Sequence, residues 1–355
     1  MEDLDALLRR FDAAAPISRA RTPPSEWYTS GAWLEREKER LFRRRWIVVA
    51  RVDQVRRSGD HVAGVLVDQP FVVVRGDDGA LRAFHNVCRH HATAVASGEG
   101  RCEELVCPYH GWTYGLDGRL LRAPRLGKVE GFDRAAHGLV PMHVRVWGPL
   151  VLVSLAAEPR DLDRDLAPLA DRLPPDELGA LSFVERRTYR IGCNWKVFAD
   201  NYLDGGYHVP HMHRELAGKL DLDAYAVESF ERLSIQSTRG GGDPRVGAAA
   251  TYAFVHPNLM LNRYGPWLDV DVVLPIDAET CEVVMEWWID PTARVDDAEV
   301  ERQLAESERV QHEDVAVCEA VQRGLRSIAF DTGPYASSEA AMLEFHRGLA
   351  ADLER

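Results

Sequence analysis

From Trp46 to Leu155 the chain is built of short apolar runs, many alternating in and out with a period of two. WIVVARV, HVAGVLV, PFVVVRG, LRAFHNV and VRVWGPLVLVSL are rich in Val, Ile and Phe, which suits half-buried strands. Asp78-Gly79 and Asp117-Gly118 supply hairpin turns between such runs. The stretch before them has another period. WLEREKERLFRRRW places Trp33, Leu34, Leu41, Phe42 and Trp46 on or near one helical face. Residues 156–180 are polar and proline-containing, and predict a linker with a short helix. Strand texture returns in LSFVERRTYRI, RLSIQSTR, TYAFVHP, LMLNRYG, DVDVVLPI and CEVVMEWWI, interrupted by a helical segment near 193–209. Residues 297–326 predict a long helix, with Asp296 as N-cap and Glu299 closing a capping box. The pattern predicts an α+β protein with an all-β domain, residues 47–155, inserted in a domain made of residues 1–46 and 156–355.

Composition narrows the function. Among 355 residues, 43 Lys and Arg face 56 Asp and Glu, a net charge of −13. Such a balance argues against nucleic acid or an anionic membrane as the main partner. No apolar run is long enough to span a bilayer, and MEDLDALLRRFDAAAP lacks a signal-peptide core. A soluble cytoplasmic protein is expected. The six cysteines are too few, in too large a chain, for a disulfide scaffold. Cysteine at short spacing from histidine points to metal instead.

Two constellations carry the chemistry. In CRHHATAVASGEGRCEELVCPYHGWTYGLDG, Cys88 and His90 form C-x-H, and Cys107 and His110 form C-x-x-H. A zinc finger pairs like ligands on each knuckle. Here each loop brings one thiolate and one imidazole, the donor set of a Rieske [2Fe–2S] centre. His85, His91 and Cys102 are read as bystanders, with His91 turned away from the ligand turn. In NWKVFADNYLDGGYHVPHMH, Gly205-Gly206 loosens a helix and Pro210 disfavours helix at Val209. His208 then lies near a helix end, with His213 and His211 competing to share its metal. The third ligand comes from the long helix. Asp314 falls inside the stripe of Val310, Val317, Cys318, Val321 and Leu325, with Glu313 at its edge. A carboxylate there needs a partner, and two histidines with one carboxylate make the facial triad of non-haem Fe(II) oxygenases.

At these residues the chain resembles the α subunits of Rieske non-haem iron oxygenases, from about Trp33 to Leu349. NWKVFADNYLDGGYHVPHMH, FVHPNLMLNRYGPW and QHEDVAVCEAVQRGL are most similar to the choline monooxygenase-like members. The resemblance implies a Rieske β-domain inserted in a helix-grip catalytic domain. It implies a cluster on Cys88, His90, Cys107 and His110, and an iron on His208, His213 and Asp314, which sets His213 over His211. It further implies O2 as co-substrate, a separate NAD(P)H-dependent reductase acting directly or through a ferredoxin, and a homotrimer in which one subunit's cluster feeds its neighbour's iron. A carboxylate bridging the two sites usually stands three residues before the first iron histidine. That position is Gly205 here, and Asp204, one residue earlier, is assigned the bridge.

The expected reaction is mono- or dioxygenation of a small molecule, by hydroxylation or oxidative demethylation. A choline-like quaternary ammonium leads, bound by cation–π attraction to aromatic faces, and an aromatic or alicyclic substrate is the alternative. Tyr264, Trp267 and His211 are the candidate pocket residues. A bare Rieske electron carrier and a non-catalytic helix-grip binding protein are the readings from other classes.

Overall fold

The structure is a computed structural model that describes residues 3–239, 247 and 249–354. The chain forms two compact units, one of residues Arg43–Arg160 and the other of Met1–Phe42 with Asp161–Arg355.

In the first unit, seven strands make one antiparallel sheet. Its order is Ile47–Arg51, Leu150–Ser154, Pro141–Trp147, Leu81–His85, Gln69–Arg75, Asp60–Leu66, Gly98–Arg101. A second, three-stranded sheet joins Leu105–Val106, Thr113–Tyr114 and Leu120–Arg122. The two Asp-Gly turns behave as their sequence requires, with Gly79 at φ +78° and Gly118 at φ +83°. Val72, Val74, Phe84, Leu105, Trp112 and Tyr114 pack one core, and Cys88 and Cys107 are buried within it.

The second unit is a seven-stranded antiparallel sheet with helices. The strands run side by side as Ser182–Ile191, Thr280–Ile289, Trp267–Asp277, Leu259–Tyr264, Ala249–Val255, Leu233–Arg239, Ala226–Ser229. Helix Trp195–Tyr202 and the long helix Asp297–Leu325 pack together and carry the site. Asp296 caps the long helix, accepting from the Glu299 amide at 2.8 Å. The face it buries differs from the apolar stripe expected. Gln303, Leu304, Ser307, Gln311, Cys318 and Gln322 are buried, whereas Val321 is 45% exposed. The helix turns polar groups inward because the interior it meets is itself polar: Gln322 accepts from the Asn194 amide at 2.8 Å and Gln303 donates to the Tyr264 hydroxyl at 2.7 Å.

The N-terminal segment belongs to this unit for a physical reason. Glu37 and Lys196 are both fully buried, and their charges meet at 2.7 Å. Glu37 also accepts from the indole N–H of Trp33, at 3.0 Å, and of Trp195, at 2.8 Å. Lys196 lies 5.2 Å over the rings of Tyr28 and Trp195. Two buried charges persist only with such full pairing.

Candidate metal centres and substrate cavity

The two cysteine loops of the β unit share one backbone design. Ala92 donates to the Cys88 carbonyl, and Cys88 donates to that of Thr93. Gly111 donates to the Cys107 carbonyl, and Cys107 donates to that of Trp112. In each loop the residue four after the cysteine is left-handed, Ala92 at φ +62° and Gly111 at φ +70°. This matched pair of turns brings the histidines together, with Nδ1 of His90 and of His110 3.2 Å apart. Both sulfurs are buried, and the Tyr114 hydroxyl lies 3.3 Å from that of Cys88. Burial raises the Cys107 thiol pKa, while the Tyr109 and His110 amides pull it down. His110 is exposed and His90 stacks on Trp112 at 4.9 Å.

A single tetrahedral ion would draw all its ligand atoms close together. Among the described residues, no three of these four groups bring ligand atoms within 4.8 Å of one another. Two buried sulfurs and two outer imidazoles suit a pair of metal atoms with different ligands. Of the bystanders, Cys102 points to His61, with Sγ 3.7 Å from Nδ1. His91 is exposed but not turned away: its ring centroid lies 4.0 Å from that of His90.

His208, His213 and Asp314 do converge, each offering a ligand atom within 4.8 Å of the others. The chain achieves this through the Gly-Gly pair. After helix Trp195–Tyr202, Gly205 and Gly206 both take left-handed φ, +71° and +75°. The turn folds around the Asp204 carboxylate. Oδ1 accepts from the amides of Gly206 (2.9 Å) and Tyr207 (3.2 Å). Oδ2 accepts from the His208 amide (2.8 Å) and lies 2.6 Å from His208 Nδ1. The short helix Val209–Met212 then delivers His213. Its Nδ1 lies 2.6 Å from Glu313 Oε2 and its Nε2 3.0 Å from Asp314 Oδ1.

Each histidine is thus held at Nδ1 by a carboxylate, and each Nε2 faces Asp314, that of His208 at 3.9 Å. This is the support a metal-bound imidazole needs. Burial would lower the His213 pKa, but the Asp314 and Glu313 carboxylates push it up to about 9. The position favours positive charge. Asn201, which sequence reasoning missed, donates to Asp314 Oδ1 at 2.7 Å. It lies on helix Trp195–Tyr202, just before the turn that holds Asp204, and nothing in its spacing distinguishes it from a surface residue.

The three groups line a cavity of about 170 Å³. Tyr202, Tyr225, Tyr252 and Tyr264 supply its aromatic walls, and Asp269 and Asp271 its buried acidic groups. Two expected pocket residues are elsewhere. Trp267 is not among the lining residues and packs in a core cluster with Leu220, Ala250 and Tyr264. His211 also lies outside the lining and is exposed. The short helix Val209–Met212 carries His211 outward while the residue after its end, His213, turns in.

Comparison with known proteins completes the description. A family described as the Rieske [2Fe-2S] domain matches residues 45–133, and one described as the ring hydroxylating alpha subunit catalytic domain matches residues 178–354. The chloroplastic choline monooxygenase of Arabidopsis thaliana is 46% identical over 98% of this chain and 86% of its own length. The carnitine monooxygenase oxygenase subunit of Acinetobacter pittii is 30% identical over 89% of this chain and 88% of its own. A quaternary ammonium Rieske monooxygenase, whose structure is described in terms of carnitine oxidation and inter-subunit electron transfer, superposes with a TM-score of 0.85. It is 26% identical, and 96% of each chain is covered.

Proposed function

Because the chain belongs to the ring-hydroxylating Rieske oxygenase α subunits, we propose that it hydroxylates a small quaternary ammonium compound. The class is an oxygenase that consumes O2 and draws on a separate electron donor. A bare electron carrier would have no need of the catalytic domain that matches over residues 178–354. The two domains carry a Rieske cluster and a mononuclear iron. Such iron supplies O2 activation, and the cluster supplies electrons one at a time.

In this reading Cys88, His90, Cys107 and His110 hold the cluster. His208, His213 and Asp314 hold the iron, with Asp204 and Glu313 fixing the imidazoles and Asn201 fixing the carboxylate. Asp204 also carries the electron path to a neighbouring subunit of a homotrimer, and its contact with His208 supports that assignment. The donor is an NAD(P)H-dependent reductase. A reducing compartment, the cytoplasm, fits the six free cysteines.

The cavity carries the substrate assignment. Four tyrosines and two buried aspartates beside the triad make an environment for a cation that has no N–H to donate. The choline and carnitine monooxygenases among the relatives support the same class. The test is product mass from the iron-loaded protein with a surrogate reductase. Choline, glycine betaine, carnitine and a panel of aromatic acids are compared. Gain of one oxygen atom by a quaternary ammonium is expected. Gain by an aromatic acid alone overturns the assignment and leaves the alternative substrate class.

A further inference from the structure

Strand Trp267–Asp277 sends Asp269 and Asp271 to one face, and both line the cavity. The two are not equivalent. Asp269 accepts from the Tyr264 hydroxyl with both oxygens, at 2.9 and 2.7 Å. Tyr264 in turn accepts from Gln303 at 2.7 Å. Asp271 has one such partner, the Asn262 amide at 3.1 Å from Oδ2. Its Oδ1 is buried and has no hydrogen-bond partner among the described residues. Burial first, and then the charge of Asp269, push its pKa well above the usual carboxylate range. A charge in this place is costly until something positive enters.

Away from the triad that would hold the iron, no described lining residue of the cavity is positively charged. Its described lining includes four aspartates and neither lysine nor arginine. Of the four, Asp314 belongs to the triad, Asp204 holds His208 and Asp269 is bonded to Tyr264. Asp271 is left.

We propose that Asp271 is the counter-ion of the substrate's quaternary ammonium and makes the cavity select by net charge. It admits a monocation whose far end is uncharged and rejects a zwitterion that carries a carboxylate. This rests on the quaternary ammonium reading above. A trimethylammonium spreads its charge over methyl groups and has no N–H. It can neutralise Oδ1 without donating to it, so a carboxylate oxygen with no donor suits it. A carboxylate on the same small molecule would enter a space lined by aspartates, with neither lysine nor arginine among the described lining to receive it.

The experiment uses the iron-loaded protein with a surrogate reductase and three substrates. They are choline, its neutral isostere with tert-butyl in place of trimethylammonium, and glycine betaine. In the wild type, choline is expected to exceed both others in kcat/KM by about a hundredfold. Asp271→Asn is expected to raise the choline KM about tenfold or more. It should hold kcat within about threefold and leave the isostere unchanged. Cluster absorbance and iron content establish that the variant is loaded. If the variant does not load, calorimetric binding of the three compounds to the wild type decides: choline tighter than both others by about tenfold or more supports the proposal, and choline no tighter than its neutral isostere or betaine overturns it. Equal use of betaine and choline by the wild type overturns the proposal. So does an unchanged choline KM in a loaded variant, which leaves the quaternary ammonium reading standing. Consumption of no quaternary ammonium at all overturns both.

Discussion

Asp204 and Glu313 do for the two histidines what the metal alone cannot: each fixes a ring by its Nδ1 and so decides which nitrogen is offered. Asp204→Asn keeps the shape and loses the charge. Turnover is expected to fall about 10–100-fold, with cluster and iron still bound by absorbance and metal analysis. Wild-type turnover removes the bridging role. Asp271 makes a prediction of the opposite kind, in stability. A carboxylate whose pKa is raised on folding binds its proton more tightly in the native state. Wild-type stability therefore falls as pH climbs from the unfolded-chain value, about 3.9, toward the raised native value. Asp271→Asn has no such proton. Its melting temperature without substrate should exceed the wild type's by a margin that widens with pH over that window. A constant or narrowing margin contradicts a buried, unpaired carboxylate. The sequence makes metal donors legible at this scale, because spacing and residue type are the chemistry. It hides Asp271, Asp269 and Asn201, because polar residues alternating with apolar ones in DVDVV look like a wet face. Here both faces of that strand are buried, Asp269 through Val273 without exception.

At the scale of elements, the Gly205-Gly206 pair replaces a regular helical turn. A Cβ on Gly205 would stand 2.3 Å from the Ser338 carbonyl oxygen, so the usual position of a bridging carboxylate is closed to any side chain here. The left-handed turn brings Asp204, one residue early, onto His208 instead. Gly205→Ala should cost about 1–3 kcal/mol from backbone strain alone, and more from the clash, read as a lower melting temperature with loss of the mononuclear iron. Gly79→Ala, at a similar φ but in open space, is the control and should keep the iron. The long helix carries a different lesson. Its valines suggested an apolar stripe with Asp314 inside, yet its buried face is rich in glutamine and serine. Asp314 is placed inward for a reason the stripe did not contain: Asn201 and His213 meet its carboxylate there. Strand positions were easier to read, since alternation and Asp-Gly turns act locally. The inward choice between His211 and His213 depends on one turn of helix, which sequence spacing alone leaves open.

For the molecule as a whole, the two proposed metal sites draw on separate stretches of chain, the cysteine loops within Arg43–Arg160 and the triad within the other unit. Removing one should leave the other. His208→Ala is expected to lose the mononuclear iron and keep the visible absorbance of the cluster, whereas Cys107→Ser should lose that absorbance and its sulfide. Loss of both signals from either variant contradicts independent sites. The larger unit is also held by a fully buried charge pair, Glu37 with Lys196. Lys196→Met strands Glu37, and should cost about 3–5 kcal/mol by thermal or denaturant unfolding, much of it recovered when Glu37→Gln is added.

That pair has a consequence for how the chain is made. Glu37 leaves the ribosome 158 residues ahead of Trp195, one of its indole partners. At about 5–20 residues per second this is a wait of roughly 8–30 s. Throughout it the whole β unit is synthesised and free to close on itself, while the opening segment has no sheet to join. A nascent chain stalled before residue 195 should therefore present a protected middle and a protease-sensitive start.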